Sequence, residues 1–198
     1  MSFLSRLLTV HRTLRWHFKG RQILSLNYPF TPRARWGHGE PPHRELFELI
    51  DRGRDRYGDL LDGFLDHLDR LRSIAVETPA SAEKPNWQSP WLPLLDAVTL
   101  YGMLCRWRPQ RYVEIGSGYS TKFARQAILD RRLPTELVSI DPEPRAEIDE
   151  LCDDVIRSRL EDADLSVFER LQSGDVLYMD GSHRCFPNSD VTVFFLEV

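Results

Sequence analysis

The chain has 198 residues, 41% of them apolar and 11% aromatic, so it can bury a hydrophobic core and is not disordered throughout. Its net charge of −4 is uneven: residues 1–39 hold seven Lys or Arg and no Asp or Glu, which leaves 19 basic against 30 acidic residues in 40–198, a body near −11. That body excludes a nucleic-acid binder spread over the whole surface, because such proteins need basic faces to displace counterions from phosphates. Residues 3–18 place Leu4, Leu7, Leu8, His11, Leu14 and Phe18 at spacings of three and four with arginines between, which predicts a basic amphipathic helix. Such a stripe packs on its own domain, the commoner use, or serves a protein partner or an anionic membrane surface through residues 1–21. Charges interrupt the first apolar stretch where a signal peptide needs continuity, and no apolar run is long enough to span a bilayer.

Residues 27–43, with four prolines and two glycines, read as an extended loop. From Arg44 to Val76, Leu46, Leu49, Ile50, Tyr57, Leu60, Leu61, Phe64, Leu65, Leu68 and Leu71 follow helical spacing in one long helix or two. The stretch 77–90 is poor in aliphatics and carries three prolines, so the chain divides into a helical N-terminal region, 1–80, and a second domain, 81–198. Helical spacing resumes over 91–107.

Beyond it, strands and helices alternate: strand 111–116, helix 120–132, strand 136–141, helix 144–153, a short strand within 154–160, and a fourth strand with its loop over 174–183. This alternation predicts an α/β fold with a Rossmann-like parallel sheet, preceded by the helical region. Ligands of such sheets sit at the carboxyl ends of the strands, where Glu114, Asp141 and Asp180 fall.

The turn "VEIGSGYSTKF", 113–123, decides among ligands. Gly116 and Gly118 match the first two glycines of a dinucleotide fingerprint, but Thr121 stands at the third, and Glu114 would oppose a pyrophosphate while suiting a cation. A phosphate-binding P-loop is absent, since no G-x-x-x-x-G-K-[ST] occurs. Asp141, 23 residues after Gly118, can accept hydrogen bonds from both ribose hydroxyls of an adenosine. Acid, glycines and second acid together suit S-adenosylmethionine, which is cationic and carries no phosphate. Taken singly, Glu114 and Asp141 could be strand-end acids, Asp180 the first residue of a tight Asp-Gly turn, and His183 a solvated loop histidine. Tyr119, Lys122 and Arg145 read as surface or packing residues, and Cys185 as a small buried apolar group. Cys105, Cys152 and Cys185 show no C-x-x-C spacing, so they offer no zinc site and fit a reducing, cytoplasmic location.

"YVEIGSGYSTKFAR", "LVSIDPEPRAEID" and "GDVLYMDGSHRCFPNSDVTVFFLEV", in this order over about residues 87–198, resemble the class I S-adenosylmethionine-dependent methyltransferases, in the bacterial group whose first motif is E-I-G-S-G-x-S-T. The resemblance implies that Glu114, Gly116, Ser117 and Gly118 line the methionine part of the cofactor and that Asp141 holds its ribose. Leu160, Glu161 and Asp162 would flank the adenine, and Ser120 would take the place of a third glycine. Asp180 would be a catalytic group or, in metal-dependent members, a magnesium ligand, with His183 as a general base toward a small hydroxylated acceptor such as a sugar. In that family the segment 189–198 leads to three further strands, so the chain reads as truncated after the fourth, with the cofactor half present and catalytic competence open. The uncovered edge would then be met by the N-terminal helices, by a second copy in a homo-oligomer, or not at all. The alternative reading is a non-catalytic, methyltransferase-like interaction protein that works through its basic N-terminal helix.

Overall fold

A computed structural model describes residues 3–18, 29, 31, 33–77, 79 and 81–198. The chain divides into two compact units, residues 1–52 and 53–198. The first holds α1 (Phe3–Phe18), which covers the predicted amphipathic stretch, and α2 (Arg44–Asp51), whose first turn is capped by His43 Nδ1 accepting the Leu46 N–H.

The second unit opens with α3 (Arg54–Phe64), a 3-10 turn at Leu65–His67 and α4 (Leu68–Ser73), so the 44–76 pattern is broken into short helices. The proline-rich stretch 77–90 lies inside this unit. It is closed by Trp87 and Gln88 N–H groups donating to Ala75 and Val76 carbonyls, while the Trp87 ring packs on Phe123 at 5.2 Å.

The remaining elements are α5 (Leu94–Trp107), β1 (Arg111–Ile115), α6 (Tyr119–Arg131), β2 (Glu136–Ile140), β3 (Asp154–Ile156), α7 (Ser166–Glu169), β4 (Val176–Met179) and α8 (Asp190–Glu197). All four strands run parallel in the order β3-β2-β1-β4. The predicted α/β, Rossmann-like sheet with helices before it is therefore present. Alternation along the strands sorts the core into two layers. Tyr112 and Leu137 pack with Leu104, Phe123 and Ala127 from α5 and α6, whereas Val113, Ile115, Val138 and Ile140 pack with Val193 of α8 and with Leu160.

Two expectations change. The helix expected over 144–153 is only a 3-10 turn at Asp149–Leu151. Pro142 and Pro144 disfavour helical backbone before it, and the Arg145 N–H is drawn to the Ser117 carbonyl, holding the segment against the glycine turn. Cys185, expected to be buried, is exposed, because it sits in the loop between β4 and α8 where no layer covers it.

Candidate functional site

The chain passes from β1 outward to β2 and β3, then returns to place β4 on the other side of β1. In parallel sheets the crevice at such a reversal, at the carboxyl ends of the strands, is where ligands bind. A cavity of about 310 Å³ opens there. Its lining comes from the turn after β1 (Ile115–Ser120), the end of β2 (Ile140–Glu143 and Arg145), Arg159–Glu161, the loop after β4 (Asp180–Ser182), Asp190, and Trp91 with Leu92 ahead of α5.

The turn after β1 is built on close backbone approach. Gly116 has φ +82°, and a Cβ there would meet the Asp180 carbonyl oxygen at 2.1 Å, so only glycine lets the β1 turn and the β4 end touch. From there the turn is tied on both sides. The Ser117 N–H donates to Asp141 Oδ2 at 2.7 Å, and its hydroxyl pairs with the Ser139 hydroxyl at 2.6 Å. Asp141 Oδ1 accepts the Glu143 N–H at 2.7 Å, which fixes the carboxylate across the end of β2. Each carboxylate oxygen has room for a second donor, so Asp141 is oriented without being saturated.

Glu114 stands elsewhere than its neighbours in the sequence suggest. It is fully buried beneath the turn and is not part of the cavity lining. Its Oε2 accepts the Thr121 hydroxyl at 2.6 Å, and the Thr121 oxygen in turn accepts the Gly118 N–H at 2.9 Å. The position that departs from the dinucleotide fingerprint is thus the relay that joins the buried acid to the first turn of α6. Burial pushes the Glu114 pKa up to about 7, against the neighbouring hydroxyls of Ser120, Thr121 and Tyr112, which favour the charged form. Glu114 Oε1 and the Tyr112 hydroxyl are buried near one another, but not in hydrogen-bond geometry, so the Tyr112 dipole acts on the carboxylate without a formed bond.

The loop after β4 is held by a residue with no assigned role in the sequence reading. Asp190, at the start of α8, accepts the Ser182 N–H on Oδ2 and the Ser182 hydroxyl on Oδ1, both at 2.5 Å. A Cβ on Gly181 would meet Asp190 Oδ2 at 2.1 Å, so the glycine is what lets the carboxylate reach the loop. Ser189, with Thr192 three residues on, marks a helix N-terminus in the sequence, but nothing local shows that the next side chain folds back onto Ser182. Asp180 lines the cavity, and its Oδ1 lies 2.9 Å from Nε2 of His183, an exposed residue at φ +57° outside the lining.

Of the predicted site residues, Gly116, Ser117, Gly118, Asp141, Glu161 and Asp180 come together around one cavity, while Glu114 lies behind it and His183 beside it. Trp91, which carries no signal in the sequence, and Arg145, expected to be a surface or packing residue, also line the cavity. The Arg145 guanidinium stacks 4.4 Å from the Trp91 ring centre at the cavity edge, a pairing across 54 residues of sequence that no local signal encodes. Lys122 does pack, with its ammonium donating to the Ala82 carbonyl and facing the Tyr119 ring. The lining carries five carboxylates (Asp141, Glu143, Glu161, Asp180, Asp190) against two guanidiniums (Arg145, Arg159), and Arg159 is paired with Asp162. Such a lining favours a cationic ligand over a pyrophosphate.

Residues 113–198 match the family model described as a methyltransferase domain. The match runs from β1 to α8 and so takes in the glycine turn, Asp141 and the Asp180 loop; it supports a methyltransferase domain over this stretch. No curated protein and no solved structure matches the chain.

The magnesium expected at Asp180 finds no support around that residue. Among the described residues no three His, Cys, Asp or Glu side chains gather in a way that could hold a metal ion. No described helix is long and apolar enough to cross a membrane.

Proposed function

We propose that the methyltransferase domain binds S-adenosylmethionine in the cavity at the ends of β1, β2 and β4 and methylates a small hydroxylated acceptor, a sugar being the first candidate. The chain would then belong to the class I, E-I-G-S-G-x-S-T group. One observation carries it: an acidic cavity whose glycine turn is stitched to an Asp141 carboxylate that keeps free acceptor capacity. Ribose hydroxyls need such an acceptor, and a ligand with an ammonium and a sulfonium gains from the surplus of carboxylates.

S-adenosylmethionine, when bound, supplies a methyl group on a sulfonium that an oxygen nucleophile displaces in line. The chain supplies placement and proton handling. Asp141 would take the ribose hydroxyls, Gly116 and Gly118 would admit the methionine portion against bare backbone, and Glu161 would border the adenine. Glu114 would act from behind by holding Thr121 and, through it, the Gly118 amide. Were His183 to carry its proton on Nε2, which lies 2.9 Å from Asp180 Oδ1, its Nδ1 lone pair would be available. The acceptor's hydroxyl proton would pass to that nitrogen, and the Asp180 carboxylate would stabilise the resulting imidazolium.

The test is isothermal titration of S-adenosylmethionine and S-adenosylhomocysteine into the chain and into Asp141→Ala, with NADH as the contrasting ligand. Both adenosyl ligands should bind the native chain, and Asp141→Ala should weaken them by at least about tenfold, as expected for a lost charge-assisted hydrogen bond. Binding of NADH in their place would overturn the assignment.

A further inference from the structure

We propose that α1 is a docking site for the surface of an anionic lipid bilayer. At about 100° per residue, Leu7, Val10 and Leu14 fall within an arc of about 60° on α1. All three are exposed, at 51%, 56% and 51%. An aliphatic stripe left open to solvent on a helix is unfavourable unless something apolar receives it. Leu8, also exposed, stands about 100° from Leu7 and lies outside this arc.

Charge identifies the receiving surface. Arg6, Arg12 and Arg15 are on this helix with no acidic residue, and the first 39 residues hold seven basic side chains and no acid. Arg15 stands about 100° from Leu14, beside the stripe, where a long cationic side chain can reach headgroups while its stem stays on apolar ground. Anionic headgroups over hydrocarbon answer both the aliphatic stripe and the arginines; a nucleic acid answers only the arginines. The helix has 16 residues, about 24 Å in length, so it lies in the interface and does not cross it. Residues 40–198, near −11, would be repelled by the same headgroups, which confines attachment to the N-terminal segment.

The experiment is co-sedimentation of the full chain with vesicles of phosphatidylcholine alone and of phosphatidylcholine with about one third phosphatidylserine. The bound fraction should be at least about tenfold greater on the anionic vesicles and should fall as salt is raised. Leu7→Asp with Leu14→Asp, and separately Arg12→Glu with Arg15→Glu, should each reduce binding to the level seen on phosphatidylcholine alone. Urea denaturation of both variants checks that the rest of the chain stays folded. Absence of sedimentation with anionic vesicles overturns the proposal. So does a leucine variant that sediments like the native chain and is displaced equally by duplex DNA, which would mark the helix as a general polyanion binder. Neither outcome depends on whether the cavity binds S-adenosylmethionine.

Discussion

Two turns at the ends of neighbouring parallel strands, one after β1 and one after β4, are built on the same device and differ in what lies beneath them. In each, a carboxylate from another element captures a backbone N–H of the turn: Asp141 takes that of Ser117, and Asp190 takes that of Ser182. Under the β1 turn a buried chain of hydroxyls and an acid continues inward, from Gly118 through Thr121 to Glu114. The β4 turn rests instead on Asp190 at the start of α8 and runs out into an exposed loop with His183 in left-handed backbone. Under the proposed function, the β1 side would hold the cofactor and the β4 side would carry the groups that meet the acceptor.

The strongest way to break this contrast is Gly116→Ala. Its methyl group would collide with the Asp180 carbonyl, a backbone atom, and the residue would be held at φ +82°. Strain and overpacking together predict a loss of about 4 kcal/mol and loss of ligand binding, measured by urea denaturation and titration. A variant as stable as the native chain would show that the two turns do not depend on contact at Gly116.

Glu114→Gln sharpens the contrast through pH. The native pKa of Glu114, about 7, lies above its ordinary value of 4.5, so the folded chain keeps a proton that the unfolded chain releases. The stability this contributes is complete below about pH 4.5 and is lost as pH rises through about 7, by about 3 kcal/mol at most. Glutamine removes that dependence. The stability difference between variant and native chain should therefore shift by about 3 kcal/mol in favour of the variant between pH 4 and pH 8. If denaturation at the two pH values gives the same difference, the buried acid does not titrate as its surroundings require.

Asp190→Ala tests the other turn and has the smallest expected effect, about 2 kcal/mol, from donors at Ser182 left without their acceptor. Because the β1 cradle is untouched, affinity for S-adenosylhomocysteine should stay within about threefold while methyl transfer slows, by loosening of the loop that carries Asp180. Equal loss of affinity and turnover would mean that the two turns form one unit.

Legibility of this molecule followed how local each cause is. Strand and helix alternation from Arg111 onward could be read because side-chain period and turn glycines act over a few residues. The segment 144–153 could not, since its backbone is diverted by the Ser117 carbonyl, 28 residues earlier in the chain. Asp141 and the glycines were visible as a spaced pattern, whereas Trp91, Arg145 and Asp190 were not, because each acquires its place only by tertiary contact.

The sequence by itself determined the α/β order, the glycine turn with its flanking acids, and the basic, apolar character of α1, all matters of composition and spacing. Tertiary structure decided which acids face the cavity. Alternation along β1 turns Glu114 toward α6 and buries it under Thr121, while the sheet order brings β4 beside β1 and carries Asp180 to the same opening as Asp141. A strand's pattern states that successive side chains part to opposite faces; only packing assigns one face to a helix and leaves the strand ends to a ligand.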